Sequence, residues 1–577
     1  MDHLSPGRRI RLAVGMRCSI AAVVGALTFL GACADSSGAV RAIRSGNFVE
    51  KDLKPSEAHD YSVELDSGES ALVTVNQMGI DVLVEVRDPQ EKLIASVDSP
   101  NGRNGDEVVL LEPATGGTYT LRVRPIGPNE PSAKYSLRYQ WRRDATRTAA
   151  DTDAARQWLA QQSMEIPASG VVPRAAPTQP LDRWLNGVRV VGVGEATHGS
   201  RELGDLRLSL TKLLIERHGF RVVAFEASAD KYRALAPYIA GQANAPSPSL
   251  PGPGWIWIGQ RTQRELIEWV RAWNLSHTGE LVRIVGVDAN DNAIARAALT
   301  RFIAEAYRGT DVEERWPAAA TELAAADEQS FVFGNSDVNV ETWKLLSRLM
   351  VDRDSHATLW RNAPAARRAD AAEALSILTE FAAFNANGDI GDVPRSRDVY
   401  MAQRVLRTLD RDSVAKKAVY WAHNAHVVHP EGATRIAGSV LRQALGLAYV
   451  AIATTFGDGE FLAQIPNDAE DRLAVSRVPM VPGAVEAMLA QARAGGSLAL
   501  WRPDLTAAEV PKWFQVPRRM HWVGGLYRPD TDPAEALQSY ILMSDFDGVA
   551  YVPRVAAEDV IAQPRIPARR RVAAAVD

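Results

Sequence analysis

The sequence predicts an α/β catalytic domain with a largely parallel sheet and an inserted helical layer, preceded by a small all-β sandwich domain. Three observations predict it. Residues from about 45 to 140 carry short runs of alternating apolar and polar positions. From Val188 onward, buried-strand runs alternate with longer amphipathic segments, and residues 310–390 are rich in Ala, Glu and Arg with helical periodicity. A chain of 577 residues, 46% hydrophobic and 23% charged, is ordinary globular material too long for one core.

In chain order, residues 1–32 come first. Arg8, Arg9, Arg11 and Arg17 give a basic start, Ile20 to Leu30 form a short apolar run, and Leu30-Gly31-Ala32-Cys33 follows, the layout of an export signal. The tetrapeptide resembles a bacterial lipobox. That resemblance implies cleavage before Cys33, diacylation of its sulfur and a lipid anchor on the bacterial envelope; Ala34 after the cysteine points to the outer membrane. The apolar run is shorter than the ~20 residues a helical span needs. Of the two cysteines, Cys18 leaves with the signal, so the mature chain forms no internal disulfide. The leader holds four Arg and one Asp, and the formal charge of −5 becomes −8 without it, which gives no basis for nucleic-acid binding.

Within 45–140, Tyr61–Leu65, Ala71–Val75, Val82–Val86 and Tyr119–Val123 alternate as two-faced strands do, with turns at Asp66-Ser67-Gly68, Asp88-Pro89, Asn101-Gly102 and Gly116-Gly117. Asp81, Asp88-Pro89 and Gly117 to Val123 are similar to the pre-peptidase C-terminal module. Residues 141–180 read as a linker and leading helix, passing from a charged stretch through Trp158-Leu159 to Pro180.

The domain over 181–555 is expected to begin with strand 188–193, helix 201–218, strand 221–226, helices 229–240 and 262–275, strand 281–287 and helix 291–307. Further strands are expected at 418–422, 448–455, 497–501 and 549–552. Helix 201–218 has Ser200 as an N-cap candidate, an apolar stripe at Leu203, Leu206, Leu210, Leu213 and Leu214, and Gly219 just past its end. The tail from 556 to 577, with Arg569-Arg570-Arg571, is expected to be disordered.

Ligands of open α/β sheets bind beyond the carboxyl ends of the strands. At those ends stand Glu195 and His198 in Gly194-Glu195-Ala196-Thr197-His198-Gly199, then Glu226, Asp288, and His423 and His426 in Trp421-Ala422-His423-Asn424-Ala425-His426. Each taken singly is a helix cap, an ion-pair partner or a loop residue, and His429 is assigned to that class. Together they concentrate charge at one edge, where burial is costly unless it is paired or used. No Gly-x-Ser-x-Gly elbow is present, so water is the expected nucleophile, with His198 as general base and Glu195 or Glu226 as its carboxylate partner. The same set, Glu195, His198, Glu226, His423 and His426, also suits a divalent metal, although no His-Glu-x-x-His pattern occurs.

These motifs, with Gly219-Phe220-Arg221, Phe225-Glu226-Ala227, Gly286-Val287-Asp288, Arg397-Asp398, Met401-Ala402 and Phe546-Asp547-Gly548, resemble the ordered motifs of the erythromycin esterase family over roughly 155–555. The resemblance implies hydrolysis of a carboxylic ester or macrolactone by water, without a covalent intermediate and without a cofactor. It makes His198 the base, Glu195 and Glu226 the groups that position it or the water, and Arg207, Asp288, Trp421, His423 and His426 the substrate-binding set. The lipoprotein signal and the added β-module depart from the resistance esterases, which leaves the substrate open between a macrolactone and an envelope ester. Two alternatives stand beside it: a metal-dependent hydrolase at the same site acting on an envelope polysaccharide, lipid or peptide, and a non-catalytic envelope binding lipoprotein. The Pro- and Gly-rich stretch from Ala245 to Trp257 reads as core or as an aromatic wall over the cleft.

Overall fold

The computed structural model describes residues 40–559, without 99–102, 112–114, 145–148, 174–178, 246–260, 290, 330–336, 392, 411–415, 431–432, 434, 466–472, 503–509, 526 and 528–535. The leader, Cys33, Trp255, Trp257 and the tail from 560 lie outside the described residues. Among the described residues, no helix is long and apolar enough to cross a membrane.

The N-terminal strands form two facing sheets. One runs in the order Arg41–Ala42, His59–Leu65, Gly117–Pro125, Val82–Arg87, Leu93–Val97; the other runs Phe48–Leu53, Ala133–Asp144, Glu69–Met78, Asn104–Leu111. Alternation explains the packing: Tyr61, Val63 and Leu65 from one sheet meet Val73, Val75 and Leu137 from the other in a single core. Each expected run lies inside a strand. Strand Asn104–Leu111 breaks the pattern, because Val109 and Leu111 enter that core while Val108, on the opposite face, packs against the α/β domain.

The large sheet has a parallel centre in the order Arg283–Asp288, Val222–Ser228, Ala418–Trp421, Val190–Val193, Tyr449–Gln464, Gly548–Val555. Gly496–Leu500 and Ser163–Ile166 extend one edge antiparallel. Burial on both faces accounts for the continuous apolar runs. Val191, Val193, Phe225 and Trp421 enter the core on one side; Val190, Ala224, Ala418 and Tyr420 enter the other. The expected strand 448–455 continues to Gln464, and its second half pairs antiparallel with Leu473–Arg477. The inserted layer consists of helices Asp311–Gln329, Val340–Asp354, Thr358–Asn362 and Ala365–Phe384, which share a separate core with Leu299 and Phe302.

Helix Arg201–His218 forms over its expected span and ends at Gly219, whose φ of 71° is the left-handed turn a glycine supplies cheaply. Ser200 occupies the N-cap position in extended geometry but makes no side-chain cap bond. The expectation of a tail from 556 is corrected for its first four residues. Arg201 N–H donates to Ala556 O at 2.9 Å, Ala556 N–H to Glu202 Oε2 at 2.7 Å, and Glu558 N–H to Gly199 O at 2.9 Å. These bonds hold the segment, and Glu558 is buried there with Arg261 Nε 3.6 Å from its Oε1.

Candidate active site

Four parallel strands end at Val193, Trp421, Ser228 and Asp288, and the side chains singled out by sequence lie at or just past those ends. The first loop is tightly shaped. A Cβ on Gly194 would strike Asn424 Oδ1, and one on Gly199 would strike the Leu462 backbone, so both glycines serve close approach. Asn424 fixes the neighbouring strands, its amide donating to Thr454 O at 2.9 Å while its oxygen accepts from Thr454 N–H at 3.1 Å.

Two charge systems occupy this edge. In the first, His198 Nδ1 is hydrogen-bonded to Glu195 Oε1, and Arg207 pairs with Glu195 Oε2. Donation from Nδ1 to the carboxylate places the basic lone pair on Nε2. The His198 side chain retains 12% exposure, against 7% for Glu195 and 3% for Arg207. Arg207 therefore acts on Glu195 from inside the protein. The guanidinium lies 4.7 Å from the Trp421 ring, whose Nε1–H donates to Thr211 Oγ1 at 2.7 Å. Trp421 is 2% exposed and supports Arg207 from beneath instead of lining the cleft.

In the second system, Arg397 donates to Glu226 Oε1 at 2.8 Å and to Asp288 Oδ2 at 2.6 Å from the same nitrogen. Glu226 Oε2 accepts the His423 backbone N–H at 2.8 Å. His426 lies between two carboxylates, Nδ1 2.8 Å from Asp398 Oδ1 and Nε2 3.2 Å from Glu226 Oε1. Burial alone would lower its pKa, but Asp398 and Glu226 outweigh burial and push it up to about 10. Arg397 Nη1 also approaches His426 Nε2 at 3.1 Å, and the two groups share the Glu226 carboxylate. Burial would raise Glu226, yet His426 and Arg397 hold it well below the usual carboxylate range. Asp288 and His426 are 1% exposed and belong to this buried lattice, not to a substrate-facing wall.

His423 connects the two systems. Its ring is 5.5 Å from that of His198 and 5.6 Å, edge-on, from Trp522. Burial, reinforced by His198, depresses its pKa well below the ordinary value, so it is neutral. Nδ1 accepts Ala425 N–H at 3.2 Å, which leaves the proton on Nε2, 3.4 Å from Ala196 O. Glu195 is the carboxylate partner of His198, while Glu226 orders the backbone at His423. His429 and Asp547 lie elsewhere, joined at 3.0 Å, with Arg442 and the Ala451 N–H completing a structural link at the strand starts.

Arg397, Asp398, Trp522 and Glu558 had no assigned role from sequence. The signal for Arg397 was charge balance, since carboxylates at buried strand ends require a counter-cation. Glu195 and Glu226 are already engaged by Arg207 and Arg397, and among the described residues no group of three or more His, Cys, Asp or Glu is arranged to hold a metal ion.

The erythromycin esterase family model matches residues 215–555, a span holding Glu226, Asp288, Arg397, His423 and His426; Glu195, His198 and Arg207 precede it. Solved structures share the fold. A Bacillus cereus protein aligns with TM-score 0.57 at 18% identity, covering 71% of this chain and 99% of that one. A succinoglycan biosynthesis protein aligns with TM-score 0.56 at 17% identity, over 72% of this chain and 100% of the other. The erythromycin esterase EreC, as a histidine-to-asparagine mutant in its open conformation, aligns with TM-score 0.51 at 18% identity, over 69% of this chain and 99% of its own.

Proposed function

This chain belongs to the erythromycin esterase family, and from that premise we propose that it hydrolyses a carboxylic ester or macrolactone with water activated by His198. The observation that carries the reading is the alignment of Arg207, Glu195 and His198, a fixed cation, a carboxylate and a partly exposed imidazole, beside a neutral His423.

In the proposed reaction, His198 Nε2 removes a proton from water as its oxygen adds to the ester carbonyl. The carbonyl π pair moves onto oxygen, giving a tetrahedral oxyanion. Collapse breaks the bond to the alcohol oxygen, and the His198 imidazolium returns its proton there, releasing acid and alcohol. Glu195 keeps the productive tautomer and stabilises the transient imidazolium, a contribution of about 10² to 10⁴ in rate for the base. Glu226 and the Arg397 lattice hold the His423 backbone in register.

We further propose that the enzyme works in the envelope, exported by its basic and apolar leader and anchored through Cys33. The substrate is then a periplasmic or surface ester or lactone.

The test is to incubate the protein and His198→Ala with macrolides, simple lactones and linear esters, with and without chelator, and to follow water addition by mass spectrometry. Turnover by the parent, lost in the variant and unaffected by chelator, is the expected result. Turnover abolished by chelator would replace this reading with the metal-dependent one, and equal turnover by His198→Ala would remove His198 as base.

A further inference from the structure

Several buried polar groups that the proposed reaction does not use converge on Glu486. It stands in the first turn of helix Val485–Ala492 and is 0% exposed, as are Thr455 and His521 beside it. One carboxylate oxygen, Oε1, accepts from both Thr455 Oγ1 and the His521 backbone N–H, the latter at 2.9 Å. Among the described residues, Oε2 has no hydrogen-bond partner, nor has either nitrogen of the His521 ring. That imidazole, with Nδ1 4.0 Å from Oε1, is the one basic side chain there within 4.0 Å of the carboxylate.

Buried polar atoms left unmatched are costly, and apolar side chains of similar volume would fill the same space with less loss of stability. What the carboxylate does instead is tie two pieces of backbone together. Thr455 lies on strand Tyr449–Gln464, inside the large sheet, next to Thr454, whose Oγ1 donates to Gly194 O at 3.0 Å. His521 ends strand Arg518–His521, and the next three residues cross the loop that carries Glu195 and His198. The Trp522 ring meets His423 edge-on at 5.6 Å, Val523 N–H donates to Ala196 O at 2.9 Å, and Gly524 O accepts His198 N–H at 3.4 Å. Ala196 O also stands 3.4 Å from His423 Nε2. Both histidines are thus seated against the three residues that follow the N–H held by Glu486.

We propose that Glu486 is a positioning residue for the His198–His423 pair. By tying the His521 N–H to the large sheet through Thr455, it sets where Trp522, Val523 and Gly524 press on the two histidines. The kinetic consequence rests on the ester-hydrolase reading above. The role accounts for a buried carboxylate that the reaction itself leaves idle.

The experiment compares Glu486→Met, which keeps the volume and removes the acceptor, with Glu486→Gln, which keeps an oxygen for His521 N–H and Thr455. One readout is steady-state hydrolysis of p-nitrophenyl acetate and macrolactones. The other is the rate at which diethyl pyrocarbonate modifies His198, followed by peptide mass spectrometry with the exposed His277 as internal reference. Glu486→Met is expected to lower kcat about tenfold with KM little changed, since small misplacements of a reacting group are costly. Modification of His198 is expected to become faster, because a loosened loop uncovers more of the ring, while that of His277 stays constant. Glu486→Gln is expected to keep most of the parent's kcat and His198 rate. A general loss of stability would single out neither kcat nor one histidine. If Glu486→Met does not fold, Thr455→Val, which removes one of the two bonds, is expected to shift both readouts in the same direction by a smaller factor. An unchanged kcat and an unchanged His198 rate in the folded variants overturn the proposal and leave the hydrolase reading intact, and equal losses in Glu486→Gln and Glu486→Met overturn it as well. A faster His198 rate, with no ester turned over by the parent, keeps the positioning role and rejects the hydrolase reading. No turnover and no change in rate overturns both.

Discussion

Arg207 pairs with the Glu195 carboxylate oxygen that His198 does not use. A buried carboxylate tied at one oxygen has little freedom to rotate, so the imidazole is aimed by a guanidinium that does not face the cleft. Arg207→Met is expected to lower kcat by about tenfold or more, near 1.4 kcal/mol in barrier, with KM little changed. Steady-state kinetics check this, and a KM effect with kcat preserved would return Arg207 to a substrate-binding role.

Arg397 is the shared cation of Glu226 and Asp288. Removing one partner from such a buried network costs about 3–5 kcal/mol, because the remaining charges are left uncompensated. Arg397→Met is expected to lose that much stability in urea unfolding. Combination with Glu226→Gln and Asp288→Asn is expected to recover part of it, since the stranded charges go too. Additive losses in the triple variant would contradict the lattice.

His426 sets an alkaline limit. Its pKa is pushed up to about 10 in the fold, against about 6.5 unfolded, so the folded state holds the proton more tightly. Its stabilisation is fully present below about pH 6.5 and is lost as pH rises through about 10. Melting temperature across pH 6 to 10.5 is expected to fall more steeply for the parent than for His426→Gln. Parallel curves would show that the imidazolium is not the form stabilised.

Glu558 responds in the same direction from the opposite starting charge. Burial, which outweighs Arg261, pushes its carboxyl up to about 8, so folding favours the neutral acid. That advantage is complete below the unfolded value near 4.5 and lost as pH rises through about 8. Glu558→Gln, neutral throughout, is expected to gain melting temperature relative to the parent between pH 5 and pH 8.5. A constant difference across that range would exclude titration of Glu558.

The sheet and the Glu195–His198 pair were legible because both depend on local order: strand runs between helices, and a short loop crowded by glycines. Strand ends also placed Glu226, Asp288, His423 and His426 near one another. Sequence position could not show which of these reach the cleft, since Trp421 and Asp288 occupy strand ends yet are 2% and 1% exposed. That distinction depends on Arg207 and Arg397, which approach from helices distant in sequence. The run Val108-Val109-Leu110-Leu111 did carry a sign of the domain contact, because four apolar residues in a row cannot all face one side of a strand.

Gly199 O accepts from both Leu462 N–H and Glu558 N–H. The loop bearing Glu195 and His198 is therefore finished by backbone made hundreds of residues later. During translation, a ribosome-bound chain that has already exposed the whole first motif still lacks the strand and the strap that close it, and such distant contacts form late in folding. That closure is thus available only once synthesis of the domain is complete.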